Sequence, residues 1–377
     1  MHYLDNAATT RVLPEAAEAA VHAMCEEFGN PSSLHRMGLE ASHLLEDSRR
    51  TVASALGCLP EEVYFTACGT ESTNISLRGT AHLNRHKKGR IITTEIEHAA
   101  TVNAAKQLAA DGFDVVFLAP DATGHITPEV LSDALTEDTI LLSCQLVNNE
   151  IGTVQPVEQL GKLLKAKAPK ALFHIDAVQG LCRVRLTPKK WNCDLMSVSG
   201  HKIGAPKGIG ALYVKKGIHI PPFMLGGGQE KGFRSGTESV PLICGFGAAV
   251  KKLAPNVSAN FEKAADIQAY LIEKCNENGD VFVNSRKGGS PYVTSIAVNG
   301  LKSEVLLHYL EKREIYVSSG SACSKGKKSS VLKEFRYPEQ SLDSTIRISF
   351  SIDTTKADID ALMEGIKSAQ NDLCKVR

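Results

Sequence analysis

The chain of 377 residues sets 43 Lys and Arg against 42 Asp and Glu, a formal charge of +1, and 43% of its residues are hydrophobic. That balance excludes a global field drawing the protein toward nucleic acid or an anionic membrane, so any such partner must meet a local patch. The length exceeds one ordinary domain, and the apolar content is enough for a large core and a smaller second unit.

The segment Met1 to Thr10 has neither the basic start nor the apolar centre of a secretory signal, and no apolar run approaches the roughly 18 residues that would span a membrane. A cytoplasmic location is expected, without membrane contact or direct nucleic-acid binding. Ten cysteines (25, 58, 68, 144, 182, 193, 244, 275, 323 and 374) are scattered without a C-x-x-C pair. In a chain too large to need stapling, most should be reduced thiols.

In chain order, helices are predicted near Pro14 to Phe28 and Arg36 to Leu56, then strands at Val63 to Thr66, Arg90 to Thr94, Val115 to Leu118 and Thr139 to Val147. Strands alternating with helical pieces argue for an α/β layer with a mostly parallel sheet. Ile140-Leu-Leu and Ala171 to Ile175 have no polar face, as strands covered by helices on both sides should. Beyond Leu253 the texture turns α+β. An amphipathic stretch from Phe261 to Asn278 is followed by strands at Val281 to Asn284, Val293 to Val298 and Ser344 to Phe350, with helices near Ser303 to Arg313 and Thr355 to Cys374. The expected division is a large domain over 13–253 and a small one over 1–12 and 254–377. Trp191, the only tryptophan, is expected to pack at a strand entrance.

Two strand ends carry the first chemical signal. Leu172 to Ile175 runs into Asp176-Ala-Val-Gln179, and Leu195 to Val198 runs into Ser199-Gly-His-Lys202. An Asp beside a Lys suits pyridoxal phosphate, whose ring nitrogen wants an anion and whose aldehyde wants an amine; alone, the same pair would serve as a strand-end salt bridge. Val63 to Thr66, then Ala67-Cys-Gly-Thr-Glu71 and a helical Ser72 to His82, reads as strand, turn, helix. The amides of Gly69, Thr70 and Glu71 would face an anion at the helix start, with Thr70 able to cap it; a plain cap without ligand reads equally well. His98 ends the strand from Arg90, and Val147-Asn-Asn-Glu-Ile-Gly152 follows the strand from Thr139. All these groups fall at the carboxyl ends of the strands, where open α/β sheets bind ligands. No G-x-G-x-x-G occurs, and Gly320 to Lys328 misses the Walker spacing by one residue. His82 and His86 lack a third ligand and sit beside Arg85 and Lys87, so they are read as a solvated face.

Tyr3-Leu-Asp-Asn-Ala-Ala-Thr-Thr10, Phe28-Gly-Asn-Pro-Ser32, Gly69-Thr-Glu-Ser72, Glu97-His98, Val147 to Gly152, Asp176 to Gln179, Ser199 to Lys202, Arg234-Ser-Gly-Thr237, Ser318 to Cys323 and Ser344-Thr-Ile-Arg347 together resemble the cysteine desulfurase family. The likeness is to its NifS/IscS-like branch, in the class-V aminotransferase superfamily, and spans essentially the whole chain in order. It implies a homodimeric fold-type I enzyme that uses pyridoxal 5'-phosphate. Carried over, Lys202 is the Schiff-base lysine, Asp176 partners the ring nitrogen, and His98 stacks on the ring and helps move protons. Asn149 and Gln179 hold the ring hydroxyl. Gly69, Thr70, Ser199 and His201 bind the phosphate, joined by Thr237 of the other subunit. Arg347, with Asn149, clamps the substrate carboxylate, a task suited to a bidentate guanidinium; read alone, Arg347 would be an exposed strand-end cation.

Cys323 decides the reaction. It sits in a small, polar, glycine-containing stretch expected to be mobile and exposed, and Lys325, Lys327 and Lys328 would favour its thiolate, the nucleophilic form. The implied reaction takes L-cysteine to L-alanine, leaving a persulfide on Cys323 for an iron–sulfur scaffold or a tRNA-thiolation enzyme. The lysines read either as a docking edge for an acidic acceptor or as a solubilising loop. Transamination, kynurenine cleavage and selenocysteine lysis are alternatives with the same cofactor, and Cys323 discriminates, since a transaminase needs no mobile thiol. A cofactor-free iron–sulfur scaffold would need clustered cysteines.

Overall fold

The computed structural model describes residues 1–319 and 343–373. Seven strands form the main sheet: β2 (Val63–Thr66), β3 (Arg90–Thr94), β4 (Asp114–Leu118), β5 (Thr139–Gln145), β6 (Leu172–Asp176), β7 (Leu195–Ser199) and β8 (Gly210–Val214). Their order across the sheet is β2-β8-β7-β6-β5-β3-β4. From β7 to β4 every pairing is parallel, and β8 runs antiparallel to both its neighbours. The fold is the predicted α/β one with a mostly parallel sheet.

Residues on both faces of the central strands are buried, most of them apolar, because helices cover both sides. α1 (Pro14–Cys25), α2 (Arg36–Leu56), α3 (Gly69–Leu83), α4 (Ala99–Ala110), α5 (Pro128–Ala134), α6 (Val157–Lys167) and α7 (Val240–Leu253) supply the layers. α2 shows how sequence sets such a helix. His35 caps its start by accepting from the Gly38 amide, Ala41, Leu45, Val52 and Leu56 recur on one buried face, and Gly57 ends it at φ 71°, a conformation glycine adopts without strain. Trp191 is buried in this core just before β7.

A second sheet of order β12-β10-β9 is antiparallel, from β9 (Val281–Val283), β10 (Val293–Val298) and β12 (Thr345–Ser349). It shares a separate core with α8 (Val257–Glu277), α9 (Ser303–Glu311) and α10 (Lys356–Asp372), where Leu271, Ile296, Ile346, Ile359 and Leu362 meet. At the N-terminus, β1 (His2–Tyr3) pairs in parallel with β11 (Ile315–Tyr316), and Asp5 bridges to Ser349. Residues 5–9 then cross to the main sheet. Among the described residues no helix is long and apolar enough to cross a membrane.

Two local expectations are corrected. The residue flanking α3 is Cys68, not Thr70, and no side chain caps the helix. The turn is closed instead by Glu71, whose Oε2 accepts from the Ala67 amide. β5 stops at Gln145 rather than Val147, because Asn148 Oδ1 takes the amides of Glu150 and Ile151 and turns the chain.

Candidate active site

β6 and β7 lie side by side with Asp176 opposite Ser197, and β5 sets Gln145 opposite Asp176. Parallel strands end on one edge, so the loops after β3, β5, β6 and β7 converge. They enclose a cavity of about 280 Å³ lined by Gly69, Thr70, His98, Asn149, Asp176, Gln179, Ser199, His201, Lys202 and, from β12, Arg347. That is near the lower end of small-ligand pockets, about 300–1,000 Å³. Ten of the twelve predicted site residues therefore share one pocket. Thr237 is exposed on the loop before α7 and does not line it; Cys323 lies outside the described residues.

Lys202 closes a short helical turn directly after β7, and its Nζ donates to the carbonyls of Ala7 and Ala8 at 2.7 and 2.8 Å. The N-terminal crossing thus holds the amine. Asp176 is buried, and Oδ1 accepts from the Val178 amide at 3.0 Å. Burial raises its pKa, opposed by that amide and by His98 and Lys202. His98 caps α4, its Nδ1 accepting from the Ala100 amide at 3.1 Å. With Nδ1 an acceptor, the neutral ring carries its proton on Nε2. Burial, above all, holds the ring below its ordinary pKa, with Asp176 opposing. His201 is likewise pushed down to about 4, first by burial and then by Lys202.

Arg347 is 2% exposed, so it is not the surface cation that its sequence position alone permits. Nη2 donates to Asp5 Oδ1 at 2.7 Å and Nη1 to the Asn149 carbonyl at 3.0 Å, while Nε is buried without a partner. Gln179 Nε2 donates to the Ala7 carbonyl at 2.9 Å.

Three participants escaped the sequence reading. Asp5 supplies the carboxylate for Arg347. Glu97 is buried under the pocket, with Oε1 accepting from Thr94 Oγ1 and the Gln145 amide, both at 2.8 Å, and Oε2 unpartnered. Burial pushes its pKa up to about 8, so at neutral pH it is largely a carboxylic acid. His174, two residues before Asp176, is fixed between Ser143 Oγ and Ser197 Oγ at 2.8 Å each. Burial pushes it down to about 3, which keeps it neutral. An alternating strand hides such residues, since a polar side chain on a covered face carries no periodic signal. Among the described residues no group of three or more His, Cys, Asp or Glu is placed to hold a metal.

Residues 2–362 match the model of the aminotransferase class-V family. The chain belongs to that family, whose members use pyridoxal phosphate. Within it, the chain groups with the cysteine desulfurases. It is 39% identical over 370 residues to the cysteine desulfurase IscS of Methanosarcina thermophila, covering 96% of this chain and 90% of that relative. A NifS-like protein superposes with a TM-score of 0.94 at 34% identity, covering 98% and 99% of the two chains. SspA, solved in complex with cysteine, gives a TM-score of 0.83 at 33% identity over 93% and 99%.

The residues present fit the family's cofactor. An amine, a buried carboxylate and an imidazole face one cavity. At the first residue of α3 there is no room for a side chain, since a Cβ on Gly69 would stand 2.7 Å from Val178 Cγ2. That glycine brings bare backbone to the pocket at the amino end of a 15-residue helix, where amides and dipole favour a phosphate.

Proposed function

We propose that this protein, a pyridoxal phosphate-dependent cysteine desulfurase by family, converts L-cysteine to L-alanine, holds the sulfur as a persulfide on Cys323, and passes it to an acceptor protein for iron–sulfur cluster assembly or tRNA thiolation. The observation that carries this reading is the meeting of Lys202, Asp176 and His98 with Arg347 around one cavity. The complex of the relative SspA with cysteine supports the choice of substrate.

Bound in this pocket, pyridoxal phosphate supplies an electron sink that loosens the bonds around the substrate's α-carbon. Lys202 Nζ is the amine that holds its aldehyde, and Asp176 keeps its ring nitrogen protonated. Asn149 and Gln179 take the ring hydroxyl. Gly69, Thr70, Ser199 and His201 take the phosphate, with Thr237 contributed by the second subunit of a homodimer. His201 offers the phosphate a ring N–H as a hydrogen-bond donor. His98 stacks on the ring and carries a transferable proton at Nε2. Arg347 binds the substrate carboxylate, helped by Asn149.

Cys323 then acts as the nucleophile. Its thiolate attacks the substrate sulfur, and the S–S bond forms as the C–S bond breaks with its electron pair left on carbon. Protonation of that carbon gives the methyl group of alanine. The division into a large unit, 13–253, and a small one, 1–12 with 254–377, puts Arg347 and Cys323 on the second unit and the cofactor residues on the first. The chemistry calls for a reducing compartment, which fits a cytoplasmic location.

The test is alanine and sulfide formation from L-cysteine in the presence of a thiol reductant. The purified holoprotein is expected to make both in equal amounts, and Lys202→Ala to make neither. A keto acid in place of alanine, or sulfide release that survives Cys323→Ala, defeats the proposal.

A further inference from the structure

Arg183 lies seven residues beyond Asp176, in the connection between β6 and β7, and its guanidinium is buried directly behind the lysine turn. Nη1 donates to Gln179 Oε1 at 2.5 Å, and Nη2 donates to the Lys202 carbonyl at 2.9 Å and to the Asn6 carbonyl at 3.4 Å. Gln179 Nε2 and Lys202 Nζ in turn share the Ala7 carbonyl as acceptor. One guanidinium therefore ties together the turn after Asp176, the main chain of the cofactor lysine and the N-terminal crossing that holds the lysine's amine.

Among the described residues no carboxylate pairs with this cation. Burial pushes its pKa down to about 10, with Tyr292, Arg347 and Cys182 acting on it, and it also acts on His201. Its face lies 5.4 Å from the centre of the Tyr292 ring, a weak substitute for an anion. Cys182, just before it, is held at φ 55°, a left-handed backbone that strains a residue with a Cβ. A strained turn that presents an uncompensated buried charge is costly, and sites tolerate such strain where it serves function.

We propose that Arg183 is a positioning residue for Lys202: its fork fixes the lysine turn against Gln179, and its buried charge disfavours a second positive charge on the Lys202 nitrogen. This rests on the reading of Lys202 as the cofactor lysine. Other groups also set that nitrogen's proton affinity. Asp176, His98 and His201 face Lys202 electrostatically, Lys207 acts through His201, and Arg347 stands on Arg183's other side with Asp5 as its own partner. Arg183 also acts on His201, so the charge-keeping lysine variant is the control that separates the charge from the fork.

The experiment is a pH titration of the absorbance of the lysine-bound cofactor in the holoprotein, together with cofactor affinity. Removing a nearby cation lets the nitrogen keep its proton to higher pH. Arg183→Gln is expected to move the midpoint upward by about one unit or more and to weaken cofactor binding. Arg183→Lys keeps the charge but loses the fork, so its midpoint stays near the wild-type value while its affinity falls. Arg183→Met provides a second uncharged variant should the glutamine form fail to fold. A midpoint that stays at the wild-type value in the uncharged variants, or that moves as far in Arg183→Lys, overturns the proposal. A wild-type protein with no absorbance dependent on Lys202 overturns the underlying reading of the site instead.

Discussion

Arg347 and Asp5 stand 342 positions apart in the chain, yet their side chains join at 2.7 Å and set the one cation that β12 brings to the pocket. Arg347 is almost dry, only 2% exposed, and Asp5 is partly buried beside it. Removing one partner of a buried pair leaves the other uncompensated, at roughly 3–5 kcal/mol. Asp5→Asn should lower the urea unfolding free energy by an amount toward the low end of that range, since the Asp5 side chain is 20% exposed. It should also raise KM for L-cysteine more than it lowers kcat, because Arg347 loses the contact that orients it. An unchanged KM would separate Arg347 from the substrate.

Gly69 sets a steric limit. A methyl group there would meet Val178 Cγ2 at 2.7 Å, so either the turn after Asp176 or the start of α3 must shift. Gly69→Ala is expected to weaken cofactor binding about tenfold or more while the apoprotein stays folded, read by fluorescence titration with pyridoxal phosphate. Wild-type affinity would show that the phosphate does not use this backbone.

Glu97 imposes a pH dependence on stability. Its pKa rises from an ordinary 4.5 to about 8 on folding, so between those values the folded state binds a proton that the unfolded chain has lost. Its contribution to stability is therefore greatest below about 4.5 and declines as pH rises toward about 8. Glu97→Gln mimics the neutral acid and should flatten that decline, making the variant the more stable protein at pH 8.5 in urea titrations. Parallel pH profiles for the two proteins would contradict the buried neutral carboxyl.

Histidines act at the other end of the scale. His174 and His201 stay neutral down to about 3 and about 4, against an ordinary 6.5. As pH falls from 6.5 toward 4 the unfolded chain takes up protons that the folded one refuses, and stability drops. His201→Asn should soften that acid loss, measured as the unfolding midpoint at pH 5 relative to pH 7. A variant as acid-sensitive as the wild type would place the titration elsewhere.

Much of this site was readable because its parts sit at strand ends with local signatures. β6 and β7 are short, largely apolar runs that stop at Asp176 and Ser199, and adjacency in a parallel sheet then puts Asp176 and Lys202 together. What escaped was set by distant contacts. Nothing local marks Asp5 as the partner of Arg347, or Arg183 as the support behind Lys202, since both depend on the path of residues 5–9 between the two sheets. β8 was missed because Gly210-Ala-Leu-Tyr-Val214 is brief, begins on glycine and is buried on both faces, which removes the alternation that identifies a strand. Thr70 is not the cap because α3 already begins at Gly69, which puts Thr70 inside the first turn.

The most direct test of the account is the site of sulfur on the protein after brief exposure to L-cysteine, read by mass spectrometry of peptides from the alkylated holoprotein. The account predicts one added sulfur atom on the peptide containing Cys323, released by a thiol reductant, and absent from both Cys323→Ala and Lys202→Ala. Sulfur carried on a different cysteine in the wild type, or sulfide still released at the wild-type rate by Cys323→Ala, would contradict it.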